Sequence, residues 1–365
     1  MRISVAILGG GFAGWARQDA LQSLGLPATE MLLLERELSG NGSSGVLRGM
    51  MHPFTGRSLF PRPGYLDAWR FSRNWFAALQ ARNGLALYRE MPLWRLALRP
   101  DAARQFARSF ARACETVPDY PLQQTPLPEG VGDGALAAYG MSPVLQVNLP
   151  LVITQLAAQS QVQRQLRSRL PQLAYQQDHW RIQTQTRTWH AEHLVFACGQ
   201  DLKAYFPDLP LSCKRGEVAI ARCRHHLPGM FSGSGIYIAP LDPEHLITGA
   251  TFYHGERPWS PMQSWRSLSQ RLTWLPALQE AQPLQIWSGV RAVVQPDREA
   301  LLGPVPGLPQ AWVMAGFGTR GLLQIPMAAQ ALAASLHHNS PVSASMAAGR
   351  LSEASWRFTP TPGQG

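Results

Sequence analysis

Ile3-Ser-Val-Ala-Ile-Leu-Gly-Gly-Gly-Phe-Ala-Gly-Trp-Ala16 is an apolar run that passes directly into Gly9-x-Gly11-x-x-Gly14. The spacing predicts a strand, a tight turn and a helix over Phe12 to Leu24. Gly9 permits the turn, Gly11 lets the backbone approach a pyrophosphate, and Gly14 lets the helix lie close on the strand. The helix N-terminus at Phe12 and Ala13 then presents unsatisfied amides and the positive end of its dipole to phosphates. A second apolar run, Met31-Leu-Leu-Leu-Glu35-Arg36, ends in a carboxylate about twenty residues past the last glycine, where it can take the ribose hydroxyls. A glycine triplet alone is a weak signal. Strand, helix and terminal acid together predict a bound dinucleotide. The competing reading, a secretory leader over Ile3 to Ala16, fails because glycines interrupt the run and a second strand follows in place of a cleavage site.

Working outward, 365 residues at 45% hydrophobic content suffice for a large core and suggest two domains that interleave. No uninterrupted apolar run approaches a membrane span, so the expectation is a soluble, cytoplasmic protein. Cys114, Cys198, Cys213 and Cys223 form no CxxC pair and no zinc-like spacing with histidine, which argues against metal and disulfide roles. The net charge is +10, and Lys203 and Lys214 are the only lysines. Such a basic surface could steer an RNA, but the arginines are spread along the chain and no nucleic-acid module accompanies them. No paired carboxylates, Ser-His-Asp order or phosphate-binding lysine loop supports a hydrolase.

Past the second strand, Gly42 to Phe54 is a small-residue loop suited to close cofactor contact, followed by a helix over Tyr65 to Asn83. Leu85 to Leu98 reads as a strand, and Asp101 to Cys114 as an amphipathic helix with Arg104, Arg108 and Arg112 on a solvated face. Val117 to Gly140, rich in Pro and Gly, reads as loop. Leu149 to Ser160 is a helix candidate, Gln161 to Gln165 a short strand, Trp180 to His190 a hairpin, and Leu194 to Gly199 a buried strand closed by glycine. Strands then follow at Gly216 to Arg222, Gly235 to Pro240, His245 to Phe252 and Leu284 to Val294. A helix-like stretch from Ser260 to about Leu275, with Ser260 as its N-cap and Pro261 at its first position, interrupts them. Their short turns suggest an antiparallel sheet. Ala311 to Pro326 repeats the opening logic of strand, glycine turn and helix, which brings the chain back to the cofactor. The tail from Thr359 to Gly365 reads as disordered.

In this order the pieces resemble the D-amino acid oxidase-like flavoproteins, a family that includes glycine and sarcosine oxidases and the flavin domain of a bifunctional tRNA-modifying enzyme. The anchors are Gly9 to Gly14, Glu35, Ser44 to Phe54, Lys214-Arg-Gly-Glu-Val218, Tyr237-Ile-Ala-Pro240, Gly249-Ala-Thr251, Gly289-Val-Arg-Ala292 with Asp297 and Gly303, and Gly316-Phe-Gly-Thr-Arg-Gly321. The resemblance covers nearly the whole chain. It implies FAD as cofactor, held by Gly9, Gly11, Phe12, Ala13, Gly14, Glu35, Arg36, Ser43, Ser44, Gly49, Met50, Val162, Gly199, Gly316, Gly318, Thr319, Arg320 and Gly321. It also implies Arg291 as a carboxylate ligand, Arg320 as a second active-site arginine in the flavin-facing turn, and Tyr237 as a wall of the substrate cavity. His52 is a weaker substrate or flavin contact, and Lys214 a candidate cation near the flavin. For Arg291 the competing reading is an ion pair with Asp297 or a neighbouring strand, and for Tyr237 it is ordinary strand packing.

The resulting expectation is an α/β protein with a Rossmann-type FAD-binding domain over 1–84, 145–210 and 285–358. It interleaves with an antiparallel-sheet substrate domain over 85–144 and 211–284. The expected activity is oxidation of the C–N bond of a small amino acid or N-substituted glycine, with oxygen as acceptor. The alternatives are removal of the carboxymethyl group from carboxymethylaminomethyl-uridine in tRNA, and a FAD-binding scaffold without turnover.

Overall fold

The computed structural model describes residues 2–360 except 38, 39, 41, 57, 133, 167, 168, 255, 256 and 279. The chain divides into two compact units, 1–45 with 149–214 and 290–365, and 46–148 with 215–289.

In the first unit, Arg2–Leu8 pairs in parallel with Met31–Leu34 on one side and Thr188–Phe196 on the other. Gln163–Gln165 extends the sheet beyond Met31–Leu34, and Ala311–Ala315 extends it beyond Thr188–Phe196. The strand Met31–Leu34 is buried throughout, as a parallel strand covered on both faces must be. Helix Phe12–Ser23 packs against helix Gly321–His338. The opposite face of the sheet packs Ile3, Ala6, Leu8, Leu194, Phe196, Tyr205 and Phe206 into one cluster. The expected hairpin is present, His179–Gln183 with Thr188–Phe196, and gains a further strand at Gln172–Gln176. Thr359 and Pro360, expected to be disordered, are held by backbone hydrogen bonds to Tyr205 (2.8 Å) and Leu173 (2.9 Å). Residues 361–365 of that tail lie outside the described residues.

The second unit is built on a mainly antiparallel sheet in which His245–Gly249 pairs with Leu211–Arg222 and with Ile236–Asp242. Met230–Gly233 then joins Tyr88–Ala97, which pairs with Ala137–Val147. The core beneath holds Phe231, Ile238, Leu246, Leu268 and Trp274. Two expectations are corrected here. The 117–140 segment is not all loop, because Leu122–Thr125 and the start of Ala137–Val147 are paired strands. Ala138, Tyr139 and Met141 are buried there, and their burial outweighs the Pro and Gly content of the flanks. Residues 46–84, expected with the first unit, group with the second. Gly49–Met51 is an edge strand on Ala137–Val147, and the buried Arg95 guanidinium donates to the carbonyls of Phe54 (3.2 Å), Gly56 (2.6 Å) and Ser58 (2.9 Å). The helix opened by Ser260 ends at Ser269, short of the expected Leu275. No described helix is long and apolar enough to cross a membrane.

Candidate cofactor and active site

The opening turn is built as its glycines require. Gly9 has φ +111°, and a Cβ there would lie 2.4 Å from the Ala197 carbonyl oxygen. A Cβ on Gly14 would lie 1.9 Å from the Gly9 oxygen, so the first turn of the helix rests directly on the strand end. The helical ladder starts with Trp15 N–H donating to the Gly11 carbonyl (3.1 Å), which leaves the preceding amides without intrahelical acceptors. Gly11, the N-cap, has no side chain to fill that role. Ser44 supplies it from a distance, its Oγ accepting the Phe12 N–H at 3.0 Å. Ala13 and Gly14 are the next positions of that first turn, whose amides lie ahead of the first intrahelical bond.

Glu35 stands just beyond the second strand, where its Oε2 accepts the Gly10 N–H at 2.6 Å and its Oε1 the Glu37 N–H at 3.0 Å. These two bonds fix the carboxylate beside the glycine turn and leave it lone pairs for a ribose diol. Arg36 is paired with Asp201 (3.2 Å), which turns it to the surface. Val162 is buried ahead of the strand Gln163–Gln165. Its N–H donates to Ser160 Oγ (3.1 Å). Gly199 has φ +58° and follows the strand that pairs with Arg2–Leu8. This donor set, with a positive helix end, bare turn backbone and a carboxylate, fits the adenosine diphosphate half of FAD.

The second glycine turn lies in the same unit. Gly316 (φ +79°) and Gly318 (φ +59°) sit against Val294 and Val293, where added Cβ atoms would come within 2.6 and 2.9 Å. The Gly318 N–H donates to the Ala292 carbonyl (3.0 Å), and Val293 bridges to Phe317. The strand that carries Arg291 is thereby laid along the turn that opens helix Gly321–His338. Asp297 accepts Arg350 Nε at 2.9 Å and the Glu299 N–H at 2.8 Å. Arg320 is nearly buried, 8% exposed, and paired with Glu299 at 3.0 Å. The sequence reading missed Glu299. The only available signal was an acid shortly before the strand Leu301–Pro304, which pairs with the strand leading into the glycine turn.

Gly49, Met50, His52 and Tyr237 belong to the second unit. Met50 is opposite Gln146 in its strand pair. Burial, with Arg95 nearby, pushes the His52 imidazole down to about 3, and its Nδ1 has no hydrogen-bond partner among the described residues. His52 is therefore neutral at physiological pH. Tyr237 is half-buried opposite Gly249, where an added Cβ would meet its ring at 3.4 Å, and its hydroxyl donates to the Arg48 carbonyl (3.3 Å).

The sequence profile of the family described as FAD dependent oxidoreductase matches residues 4–335. The glycine oxidase of Pseudomonas aeruginosa is 27% identical over 93% of this chain and 96% of its own length. The tRNA 5-methylaminomethyl-2-thiouridine biosynthesis bifunctional protein MnmC of Maricaulis maris is 28% identical over 96% of this chain, which spans about half (55%) of that longer protein. The crystal structure of glycine oxidase from Geobacillus kaustophilus superposes with a TM-score of 0.82 at 22% identity, covering 94% of this chain and 96% of that one.

Proposed function

Since this chain belongs to the FAD dependent oxidoreductase family, we propose that it oxidises the C–N bond of a small amino acid or N-substituted glycine, with oxygen as the final electron acceptor. Bound FAD supplies the two-electron acceptor for the hydride that leaves the carbon between nitrogen and carboxylate. The substrate nitrogen loses a proton, and the resulting imine takes up water. The protein's work is to hold that carbon in place with its nitrogen unprotonated. Arg291 is assigned the carboxylate, because a guanidinium fork fixes orientation as well as charge. Glu299 holds Arg320 in the adjoining turn, and Tyr237 is assigned a contact with the rest of the substrate.

The observation that carries this reading is the attachment of the Arg291 strand to the Gly316–Gly321 turn through Ala292 and Val293. It supports a role for Arg291 at the second glycine turn, in the unit that holds the dinucleotide motif. Arg291→Met tests it. Loss of a charge-assisted fork is expected to lower kcat/KM for carboxylate substrates by about 3 kcal/mol, roughly 150-fold, with FAD content unchanged. The corresponding methyl esters should discriminate little between parent and variant. Equal kinetics on free acids would remove the clamp.

A second reading applies the same chemistry to carboxymethylaminomethyl-uridine in tRNA, itself an N-substituted glycine. The match to the bifunctional tRNA-modifying relative over 96% of this chain favours it. So do Gly249-Ala-Thr-Phe-Tyr-His-Gly255 and Thr319-Arg-Gly321. Binding of tRNA that weakens steeply with salt would support it, since phosphate contacts release counterions.

A further inference from the structure

Glu217 lies in the Lys214 to Val218 motif, in the strand Leu211–Arg222, and is completely buried. Three donors converge on its carboxylate. Oε1 accepts the Tyr253 hydroxyl (2.6 Å) and the Trp259 backbone N–H (3.0 Å), and Oε2 accepts the Ser264 hydroxyl. The donors come from three places along the chain: just past the strand His245–Gly249, the approach to the next helix, and the first turns of the helix Pro261–Ser269.

The surroundings reinforce the same geometry. Thr251 N–H donates to the Glu217 carbonyl (3.1 Å), and Glu217 N–H to Thr251 Oγ1 (2.9 Å). Arg215 and Tyr253 exchange both backbone hydrogen bonds (3.0 and 3.1 Å). The Tyr253 and Trp259 rings stack at 4.0 Å and 7°. Burial and the Glu217 carboxylate push the Tyr253 phenol up to about 12, so it remains a donor at any working pH.

A carboxylate taken out of water is expensive, and an apolar side chain of similar volume could fill the space more cheaply. What the carboxylate alone can do is gather three separate donors at one point. The stretch so gathered starts two residues beyond Gly249, against which the Tyr237 ring packs. It carries Phe252, which stays 48% exposed beside buried Thr251. The Phe252 side chain is thus half exposed on the stretch that Glu217 gathers.

We propose that Glu217 is a positioning residue for substrate: acting through Tyr253, Trp259 and Ser264, it fixes Thr251–Tyr253 so that Phe252 is presented to the substrate on the same side as Tyr237. The inference rests on the amine-oxidation reading.

The test compares FAD-loaded Glu217→Gln, Ser264→Ala and Tyr253→Phe with the parent. Chymotryptic cleavage after Phe252, Tyr253 and Trp259 is followed by mass spectrometry, and kcat and KM are measured per bound flavin. Glu217→Gln and Ser264→Ala should be cut about tenfold faster, with KM raised about tenfold and kcat within about threefold of the parent. Tyr253→Phe, which loses one donor and keeps the stack, should fall between them and the parent. It also carries the test if Glu217→Gln does not fold. Faster cleavage with unchanged KM reduces Glu217 to a structural anchor and overturns the proposal. Unchanged cleavage overturns it whether or not the parent turns over. A parent flavin that no amine reduces sinks the amine-oxidation reading instead, and with it the substrate role assigned to Phe252.

Discussion

Replacing Gly14 with alanine asks whether the close approach of helix to strand is required by the fold itself. The new Cβ would sit 1.9 Å from the Gly9 oxygen and 3.1 Å from its carbonyl carbon. Both obstacles are backbone, so relief requires the helix to move away by more than 1 Å, at the upper end of the roughly 1–3 kcal/mol that overpacking costs. The gain in helix propensity from glycine to alanine returns about 1 kcal/mol. The net loss is about 2 kcal/mol, or roughly 4–8 °C in Tm for a unit of this size. Gly11→Ala is the matched control. Its Cβ meets only Ser44 Oγ, at 3.2 Å, so the apo-protein should melt within about 1 °C of the parent. The methyl nevertheless occupies the side on which a pyrophosphate would approach, and FAD affinity should fall by at least about tenfold. Differential scanning fluorimetry of apo-protein with and without FAD, combined with flavin fluorescence titration, measures both. Equal melting of Gly14→Ala and parent would refute the packing argument. Unweakened FAD binding by Gly11→Ala would refute placement of the phosphates at this turn.

The pH dependence of stability follows from His52. Its folded value of about 3 lies below the unfolded value near 6.5, so the unfolded chain takes up the proton first and stability falls as pH drops below 6.5. Between pH 7 and 5 the loss should be about 1–2 kcal/mol. Urea midpoints should fall more steeply in the parent than in His52→Gln, where His190 and His193, also lowered by burial, still contribute, and equal slopes in both would contradict it. Arg95→Lys keeps the charge but cannot serve the Phe54, Gly56 and Ser58 carbonyls together, so it should cost about 2 kcal/mol of stability by denaturant unfolding. A loss below about 0.5 kcal/mol would show that the three contacts do not hold that loop.

What the sequence made legible was local. Strand, glycine turn, helix and Glu35 lie within one short stretch, and each position answers a backbone requirement that can be stated without the rest of the molecule. The second turn, Gly316 to Gly321, was readable for the same reason. Contacts across distance were not. Ser44 caps a helix 32 residues away, which no capping pattern could reveal because the N-cap itself is glycine. Glu299 answers Arg320 from the segment ahead of the strand Leu301–Pro304, and Glu217 collects donors up to 47 residues away. The strands at Leu122–Thr125 and Ala137–Val147 were hidden by the Pro and Gly between and around them. Pairing decides their state, Ala137–Val147 with Tyr88–Ala97 and Leu122–Thr125 with Ala137–Val147. The boundary at 45/46 was missed because residues 46–84 follow the cofactor loop in sequence, while Arg95 and the sheet pairing of Gly49–Met51 attach them to the other unit.

On the proposed reading, a carboxylate-bearing amine delivers a hydride to flavin in this protein. Anaerobic bleaching of the oxidised-flavin absorption band tests it most directly, using glycine, sarcosine, other D- and L-amino acids, and tRNA carrying carboxymethylaminomethyl-uridine. Bleaching by at least one of these, lost or greatly slowed in Arg291→Met, is the predicted result. The compound that bleaches the band decides between free amino acid and tRNA. A fully loaded flavin that none of them reduces would contradict the claim and leave a FAD-binding scaffold.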